Sequence, residues 1–371
     1  MRGTKLTGGG RIALALCLLG IMLTGLVLID GTGPRGAGAV VVEARNPKKE
    51  SLSIVWAGDT MLGHAAEPYV ARHGRRWLLK GVAPLLDGDA AVVNAEGPIT
   101  ARAEPFRPAQ ISYAVQRRAV GSLRRVGVTA LGLANNHAMD QGPSGLSDTL
   151  LYARKGGLAT FGAGMNDTQA ERPLIIRGRD VTVGVVALAK GYGARVTAGA
   201  DRAGTIPLFT GSIRRGYELA RQAGADWVVG YVHWGENYFP VLEQERRDAA
   251  KFAAAGYDLV VGHGPHVIQG VDKIGSTPVL YSLGNFVFGT LGEFSDRNGQ
   301  GLVLRTDFGP NGLEALKLTC IIVDNDRVEY QPQRCHAREA DRVLGSLGVP
   351  VKVRGAEATV PRSWWAEGES P

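Results

Sequence analysis

The chain has 371 residues, of which 44% are hydrophobic and 21% charged. This composition supplies a large apolar core and excludes an intrinsically disordered protein. The formal net charge is +7, but several of the basic residues flank an apolar segment or lie in a Gly- and Pro-rich stretch near the N-terminus, so the charge does not by itself indicate nucleic-acid binding. We therefore expect no nucleic-acid partner. The sequence also contains no nucleotide-binding glycine loop, which disfavours nucleotide-driven synthesis by this chain alone.

An uncharged apolar segment covers residues 12–29. As a helix it would extend about 27 Å, which is enough to cross a bilayer. Basic residues in the preceding 1–11 segment favour a cytoplasmic N-terminus. We therefore expect a single-pass signal anchor in the cell membrane, with the C-terminal domain extracytoplasmic. A cleaved signal peptide is the alternative, because Ala37-Gly38-Ala39 could form a cleavage site.

The organisation after this segment follows from composition. Residues 30–49 mix glycine, proline and charge, which predicts a linker. One folded domain is predicted over residues 50–340, followed by a peripheral C-terminal tail over 341–371.

Within the domain, apolar runs alternate with helix-compatible stretches. The predicted strands cover 52–57, 90–93, 128–134, 181–188, 227–232, 259–261, 279–283, 302–308 and 316–323, and the predicted helices 116–126, 145–156, 211–223 and 244–255. This alternation predicts an α/β fold whose ligands collect beyond the strand ends. The last two strands follow one another without a helix, so we expect mixed sheets.

Two carboxylates follow separate apolar strands. Asp59 comes after residues 52–57, and Glu96 comes after 90–93. Each is a candidate metal ligand, and a bridging carboxylate would offset the repulsion between two cations. Alternatively, Asp59 could cap a helix and Glu96 could be a surface charge.

A third strand end carries the segment Asn135-Asn136-His137, with Asp140 close behind. The amide oxygen of Asn136 could bind a cation, and His137 could donate a proton to a leaving group. Asp140 could hold that imidazole in orientation. An Asn-rich turn with a helix cap would explain the amides, but it would not explain the histidine and the aspartate together.

Three further histidines lie at later strand ends. His233 ends an apolar run, whereas His263 and His266 are three residues apart in a loop containing Gly264 and Pro265. Such a loop can turn both imidazoles toward one centre. The alternatives are buried, hydrogen-bonded imidazoles without a ligand role.

Cys320 and Cys335 are close in sequence. In an oxidising compartment they could form a disulfide; otherwise they would be two buried thiols.

These motifs together resemble the CapA family, also called PgsA, whose members are associated with poly-gamma-glutamate capsule biosynthesis. The resemblance rests on the order and spacing of six segments between residues 52 and 288: Gly58 to Gly63, Asn94 to Pro98, Asn135 to Gly142, His233 to Gly235, Gly262 to His266, and Ser282 to Phe286. The family looks related to calcineurin-like metallophosphatases.

The resemblance implies a four-layer α/β/β/α metallophosphatase-like sandwich with a hydrolase site for divalent metal ions, two in number, of Mn, Fe or Zn type. By position, the implied metal ligands are Asp59, Glu96, Asn136, His233, His263 and His266, and His137 is the implied proton donor. The chain departs from the wider phosphatase pattern at Met61, which replaces a histidine, at Glu96, which replaces an aspartate, and in the spacing of the last histidine pair. Phosphatase activity therefore does not follow from the resemblance.

Two functions remain open at this point. In one, the protein hydrolyses a phosphoester or the amide bond of an anionic polymer such as poly-gamma-glutamate. In the other, it is a non-catalytic subunit that binds polymer or capsule synthase subunits in the membrane. A basic surface would suit either function, and the candidates for polymer contacts are Arg72, Arg75, Arg76, Arg117, Arg118, Arg124 and Arg125.

Overall fold

The computed structural model describes residues 38–46, 49–101, 112–289 and 299–366, together with the backbone of Val27–Ile29. Most of the apolar segment 12–29 therefore lies outside the described residues. Its last three residues, Val27–Ile29, form a short strand that pairs antiparallel with residues 40–42, with Ile29 opposite Val40 and Val27 opposite Val42. Within the described part of the chain, no helix combines the length and apolar character needed to cross a membrane.

The secondary structure alternates between strands and helices along most of the chain. In chain order the strands are β1 (Val27–Ile29), β2 (Val40–Glu43), β3 (Leu52–Met61), β4 (Ala90–Ala95), β5 (Ile99–Thr100), β6 (Val115–Gln116), β7 (Ala130–Gly132), β8 (Ala159–Phe161), β9 (Ala163–Gly164), β10 (Leu174–Arg177), β11 (Thr182–Ala189), β12 (Gly204–Thr205), β13 (Trp227–His233), β14 (Leu259–His263), β15 (Val271–Ile274), β16 (Thr277–Leu280), β17 (Asn285–Phe288), β18 (Gln300–Gly309), β19 (Gly312–Ile322), β20 (Gln333–Arg334), β21 (Lys352–Arg354) and β22 (Glu357–Val360).

The helices are α1 (Glu67–His73), α2 (Arg76–Leu79), α3 (Arg118–Arg125), α4 (Gly142–Lys155), α5 (Asp167–Ala170), α6 (Thr210–Gln222), α7 (Glu243–Ala255), α8 (Asn325–Val328) and α9 (Ala337–Gly345). Short 3-10 turns cover His64–Ala66, Ala83–Leu86 and Arg362–Trp364. The four predicted helices correspond to α3, α4, α6 and α7.

Two large sheets organise the described residues. The first has the order β1-β2-β10-β11-β13-β14-β16-β15, and the second the order β21-β22-β19-β18-β3-β4-β7-β8, with β17 on β3 and β20 on β19. Both contain parallel and antiparallel neighbours: β3 and β4 are parallel, whereas β18 and β19 are antiparallel. The predicted mixed sheets are confirmed.

Side-chain alternation along β3 explains how the layers pack. Ile54 and Trp56 point into a core between the two sheets, where they meet residues of the other sheet such as Tyr231. Val55 and Ala57 point the other way, into a core under α2, α3 and α4. A strand covered on both faces needs apolar residues at nearly every position, as β3 has.

The other sheet is covered in the same way on its outer face. Ile213 of α6 and Phe252 of α7 pack there against Val228 and Val260. Helix α7 begins where the Glu245 carboxylate accepts a hydrogen bond from Leu242 N at 2.7 Å, and it ends at Gly256 with φ +94°. The molecule is therefore a four-layer α/β/β/α sandwich, as predicted.

Short strands also occur on either side of the predicted 50–340 domain. Strand β2 lies inside the predicted linker, yet it pairs with β10, and both Val41 and Val42 are buried. At the other end, the predicted tail contains β21 and β22, and β22 extends the second sheet beside β19. These strands are three or four residues long and show little periodicity, so the sequence pattern did not indicate them.

Cys320 and Cys335 form a disulfide, with Cα atoms 5.4 Å apart. The bond joins β19 to the segment that follows β20, and the backbone reinforces it because Cys335 N donates to Cys320 O at 3.0 Å. Of the two alternatives for this pair, the structure contains the disulfide.

Candidate metal centre

The candidate centre lies where the carboxyl ends of parallel strands from both sheets meet. In the second sheet, Asp59 of β3 is in register with Asn94 of β4 and Asn285 of β17. In the first sheet, His233 of β13 is in register with His263 of β14. Polar side chains at these ends face one another because the two sheets pack face to face.

Asp59 is fully buried at the middle of the cluster. Its Oδ1 accepts a hydrogen bond from Asn94 Nδ2 at 2.7 Å, and its Oδ2 accepts one from Gly264 N at 3.2 Å. Burial alone would raise the pKa of Asp59, but the hydrogen bond and charge of His266 outweigh burial and hold that pKa well below its usual range. Asp59 is therefore an anion at neutral pH.

Glu96 is also fully buried, and neither of its carboxylate oxygens has a hydrogen-bond partner. Oε1 lies 3.8 Å from His137 Nε2 and 3.7 Å from His266 Nε2. Burial raises the pKa of Glu96 to about 7, and the charge of Asp59 acts in the same direction. A buried carboxylate without donors is the group that a cation would most stabilise.

His266 connects the two carboxylates. Its Nδ1 lies 3.2 Å from Asp59 Oδ2 and 3.0 Å from Asn285 Oδ1. Burial lowers the pKa of His266, but the charges of Glu96 and Asp59 outweigh burial and raise it to about 9. The backbone at His266 is left-handed, with φ +60°, which is uncommon outside glycine and turns the imidazole toward the carboxylates.

His233 and His263 line the opposite side of the centre. Nδ1 of His233 lies 3.1 Å from Asn94 Nδ2, and burial lowers the pKa of His233 to about 3. His263 is fully buried against the Tyr231 ring, neither of its nitrogens makes a well-aligned hydrogen bond, and burial lowers its pKa as well. Neutral imidazoles with free lone pairs are the form that binds metal ions.

The loop between these strands requires glycine at position 264. Gly264 has φ +111°, and a Cβ atom there would lie 2.5 Å from Trp234 O and 3.0 Å from His233 Nε2. Glycine therefore allows the loop carrying His263 and His266 to approach β13 closely.

His137 and Asp140 form a hydrogen-bonded pair at the mouth of the cluster. Nδ1 of His137 lies 2.7 Å from Asp140 Oδ2, and the same oxygen accepts a hydrogen bond from Tyr113 N at 2.7 Å. The Tyr113 ring packs on the imidazole with centroids 4.1 Å apart. These contacts orient the imidazole so that Nε2 faces Glu96.

Asn135 and Asn136 have different surroundings. Asn135 Nδ2 donates to Asn94 Oδ1 at 3.2 Å, and its Oδ1 accepts from His137 N at 3.1 Å, so its side chain holds the loop together. The Oδ1 atom of Asn136 is buried and has no hydrogen-bond partner. Of the two amides, Asn136 is the one with an oxygen available for a cation.

The donor chemistry of this cluster fits a divalent metal ion. Ligating atoms of Asp59, Glu96 and His266 lie within 4.8 Å of one another. Glu96, Asn136 and His263 each carry a buried ligating atom without a hydrogen-bond partner. Mixed oxygen and nitrogen donors suit Mn, Fe and Zn. The predicted ligands Asp59, Glu96, His233, His263 and His266 and the predicted pair His137 and Asp140 thus occur in one buried region.

Sequence reasoning assigned no individual roles to several groups that shape this region. Asn94 and Asn135 form a chain of amides between Asp59 and His137, and Tyr113 positions Asp140. Asn94 was inside a recognised motif, but its hydrogen bonds join residues far apart in sequence.

The arginines predicted to contact a polymer differ in their exposure to solvent. Arg75 forms an ion pair with Glu67 at 3.1 Å, and only 9% of its side chain is exposed. The exposed arginines of the set are Arg72, Arg76, Arg117, Arg118 and Arg125.

Comparison with known proteins identifies a family and several relatives of this chain. Residues 53–290 match the family model described as "Bacterial capsule synthesis protein PGA_cap". The chain is 27% identical over 296 residues to "Capsule biosynthesis protein CapA" of Bacillus anthracis, covering 78% of this chain and 71% of that protein. It is 30% identical over 260 residues to "PGA biosynthesis protein CapA" of Bacillus subtilis, covering 66% and 67%.

Among solved structures, the calcineurin-like phosphoesterase YfkN from Bacillus subtilis superposes with a TM-score of 0.46 at 12% identity, covering 74% of this chain and 92% of that chain. The matched range includes Asp59, Glu96, His137, His233 and His263. The chain belongs to the bacterial capsule synthesis protein PGA_cap family.

Proposed function

We propose that this protein acts in the synthesis or export of poly-gamma-glutamate and that its buried polar cluster is a metal-dependent hydrolase site. The family match and the names of the Bacillus relatives support the polymer. The observation that carries the hydrolase is the set of unpartnered ligating atoms of Glu96, Asn136 and His263 beside the oriented His137–Asp140 pair. A purely structural cluster would satisfy these atoms within the protein.

The residues that would hold metal are Asp59, Glu96, Asn136, His233, His263 and His266. When bound, divalent cations, two in number and of Mn, Fe or Zn type, supply electrophilic polarisation of the scissile bond and an activated water molecule. The anionic Asp59 and the neutral His233 and His263 are already in the protonation states that ligation requires.

His137 is the proton donor in this proposal. Its Nδ1 is held by Asp140, so Nε2 is the atom directed toward the substrate. When water adds to the carbonyl carbon or phosphorus, the bond to the leaving nitrogen or oxygen breaks and the imidazolium transfers its proton to that atom. Asp140 stabilises the imidazolium before transfer and fixes the ring orientation.

We also propose that the apolar segment from residue 12 up to β1 anchors the protein as a single-pass segment in the cell membrane, with the folded domain outside. The apolar run and the basic residues before it support this orientation. The Cys320–Cys335 disulfide supports the extracytoplasmic placement, because such bonds persist in oxidising compartments.

Hydrolysis by matched histidine variants tests the proposal. Full-length protein supplied with Mn²⁺ or Zn²⁺ should hydrolyse poly-gamma-glutamate or a phosphodiester, and His137→Gln should slow this about 10²- to 10⁴-fold. His73→Gln is the control, because His73 is exposed and stacks on Trp77. Turnover unaffected by His137→Gln would contradict the assignment, and bound metal without any turnover would favour the non-catalytic, polymer-binding subunit.

A further inference from the structure

A second pocket, separate from the metal centre, opens beside α4. Its volume is about 410 Å³, and it is lined by residues of α4, β8, β9 and α5 and by Val40 of β2. None of the candidate metal ligands contributes to it. This volume lies within the usual range of small-molecule sites.

Two arginines line this pocket without an anionic partner. Arg154 is exposed near the end of α4, and Arg172 is half-buried just beyond α5. Within the described ranges, neither forms an ion pair with a carboxylate, whereas the partly buried Arg75 and Arg305 do. The pocket therefore carries uncompensated positive charge.

Of the two arginines, the half-buried Arg172 gives the stronger indication of a bound ligand. Its Nε atom is shielded from water and has no hydrogen-bond acceptor in the protein. A buried guanidinium N–H without an acceptor destabilises the folded state, because it has lost its hydrogen bond to water and has not formed another. An acceptor brought by a ligand would satisfy it.

The remaining lining specifies the rest of the ligand. Leu150, Leu151, Leu158 and Met165 supply aliphatic lining to the same pocket as the two arginines. A planar guanidinium binds a carboxylate through two parallel hydrogen bonds, and the aliphatic lining accommodates methylene groups. Each residue of a gamma-linked glutamate chain has a free carboxylate next to two methylene groups.

We propose that this pocket binds a glutamyl unit of the polymer, with its carboxylate on Arg172 and Arg154 and its methylene groups on the leucines. The inference rests on the proposed function for the identity of the polymer. The protein would then bind the polymer at two sites, this pocket and the separate metal centre proposed to hydrolyse it.

Calorimetric titration with a gamma-linked glutamate oligomer of about ten residues tests this site. Full-length protein is used with a chelator present, so that no hydrolysis occurs. Arg172→Gln should weaken binding about tenfold or more. Ser147→Trp should weaken it similarly, because Ser147 is exposed on the pocket rim and the indole would block entry while both arginines remain.

Arg214→Gln is the matched control. Arg214 is exposed on α6, outside the pocket, and its replacement removes the same charge. It should bind the oligomer like the unchanged protein, and the melting temperature of each variant verifies folding. Equal binding by Arg172→Gln and Arg214→Gln would overturn the inference. So would tighter binding of inorganic phosphate than of glutarate.

The outcomes separate this inference from the proposed function. Hydrolysis of a small phosphodiester by metal-loaded Arg172→Gln should equal that of the unchanged protein, because Arg172 is outside the metal centre. If Arg172→Gln binds oligomer normally while His137→Gln loses turnover, the pocket assignment fails and the hydrolase assignment remains.

Discussion

The side-chain amide of Asn94 donates a hydrogen bond to Asp59 Oδ1 at 2.7 Å, at the point where strands β3 and β4 end side by side. Both residues are fully buried. The bond fixes a carboxylate that would otherwise be a desolvated charge with fewer donors, and the same amide nitrogen lies 3.1 Å from His233 Nδ1. Asn94 therefore links Asp59 of the second sheet to His233 of the first sheet, although it is not one of the predicted ligands.

Replacing Asn94 should destabilise the metal-free protein. Asn94→Ala removes a donor from a buried anion, which costs about 1 to 3 kcal/mol of unfolding free energy. Urea denaturation in the presence of a chelator measures this. Asn237→Ala, in an exposed loop position, is the control and should be near neutral; equal stability of the two variants would show that Asp59 does not depend on Asn94.

The metal-free protein should lose stability as the pH rises from about 6.5 to about 9. The pKa of His266 is about 9 in the folded state against an ordinary value of 6.5, so the folded state binds the proton more tightly than the unfolded state. Its stabilisation is complete below pH 6.5 and is lost as the pH passes 9. The loss is on the order of 2 to 3 kcal/mol.

Other groups of the centre titrate mainly below this window. Glu96, with its pKa raised to about 7, removes stability as the pH rises from 4.5 to 7. His233, with its pKa lowered to about 3, removes stability as the pH falls from 6.5 toward 3. Denaturation at pH 7 and pH 9 with chelator should therefore report mainly His266, and His266→Gln should flatten the dependence. An unchanged slope in that variant would assign the effect to other groups.

The loop glycine should be essential for the centre. Gly264→Ala would force a Cβ atom to within 2.5 Å of Trp234 O in a backbone conformation that alanine rarely adopts. We expect a stability loss of about 1 to 3 kcal/mol together with reduced metal binding, because His263 and His266 must move. Gly191→Ala should be neutral, since no atom lies within 4 Å of a Cβ there; similar behaviour of both variants would mean that the loop adapts.

Reduction of the disulfide should destabilise the domain. The bond closes a loop between residues 15 apart in sequence, which corresponds to about 3 kcal/mol in the loop-entropy model. Dithiothreitol should lower the urea midpoint of the unchanged protein and leave that of Cys335→Ser unaffected. A midpoint insensitive to dithiothreitol would mean that the bond contributes little.

The strand and helix pattern of this chain could be predicted because its sheets are buried on both faces. Strands such as β3 and β13 are then continuous apolar runs, and their polar ends mark the edge where ligands collect. That geometry explains why residues as distant as Asp59 and His263 were expected to meet.

The short edge strands, the role of Asn94 and the disulfide could not be predicted, because they depend on contacts between residues far apart in the sequence. Strands β2 and β22 are four residues each and are stabilised by their neighbours rather than by their own pattern. The role of Asn94 depends on a hydrogen bond across 35 positions. The pairing of Cys320 and Cys335 likewise depends on how β19 and β20 align.

Metal stoichiometry tests the central claim most directly. Full-length protein incubated with Mn²⁺ or Zn²⁺ and dialysed should retain about two ions per chain by mass spectrometry of its metal content. Glu96→Gln and His263→Ala should each lower that number, whereas the exposed-site variant His73→Gln should not. Absence of retained metal in the unchanged protein, or full retention in both Glu96→Gln and His263→Ala, would contradict a metal centre built from these residues.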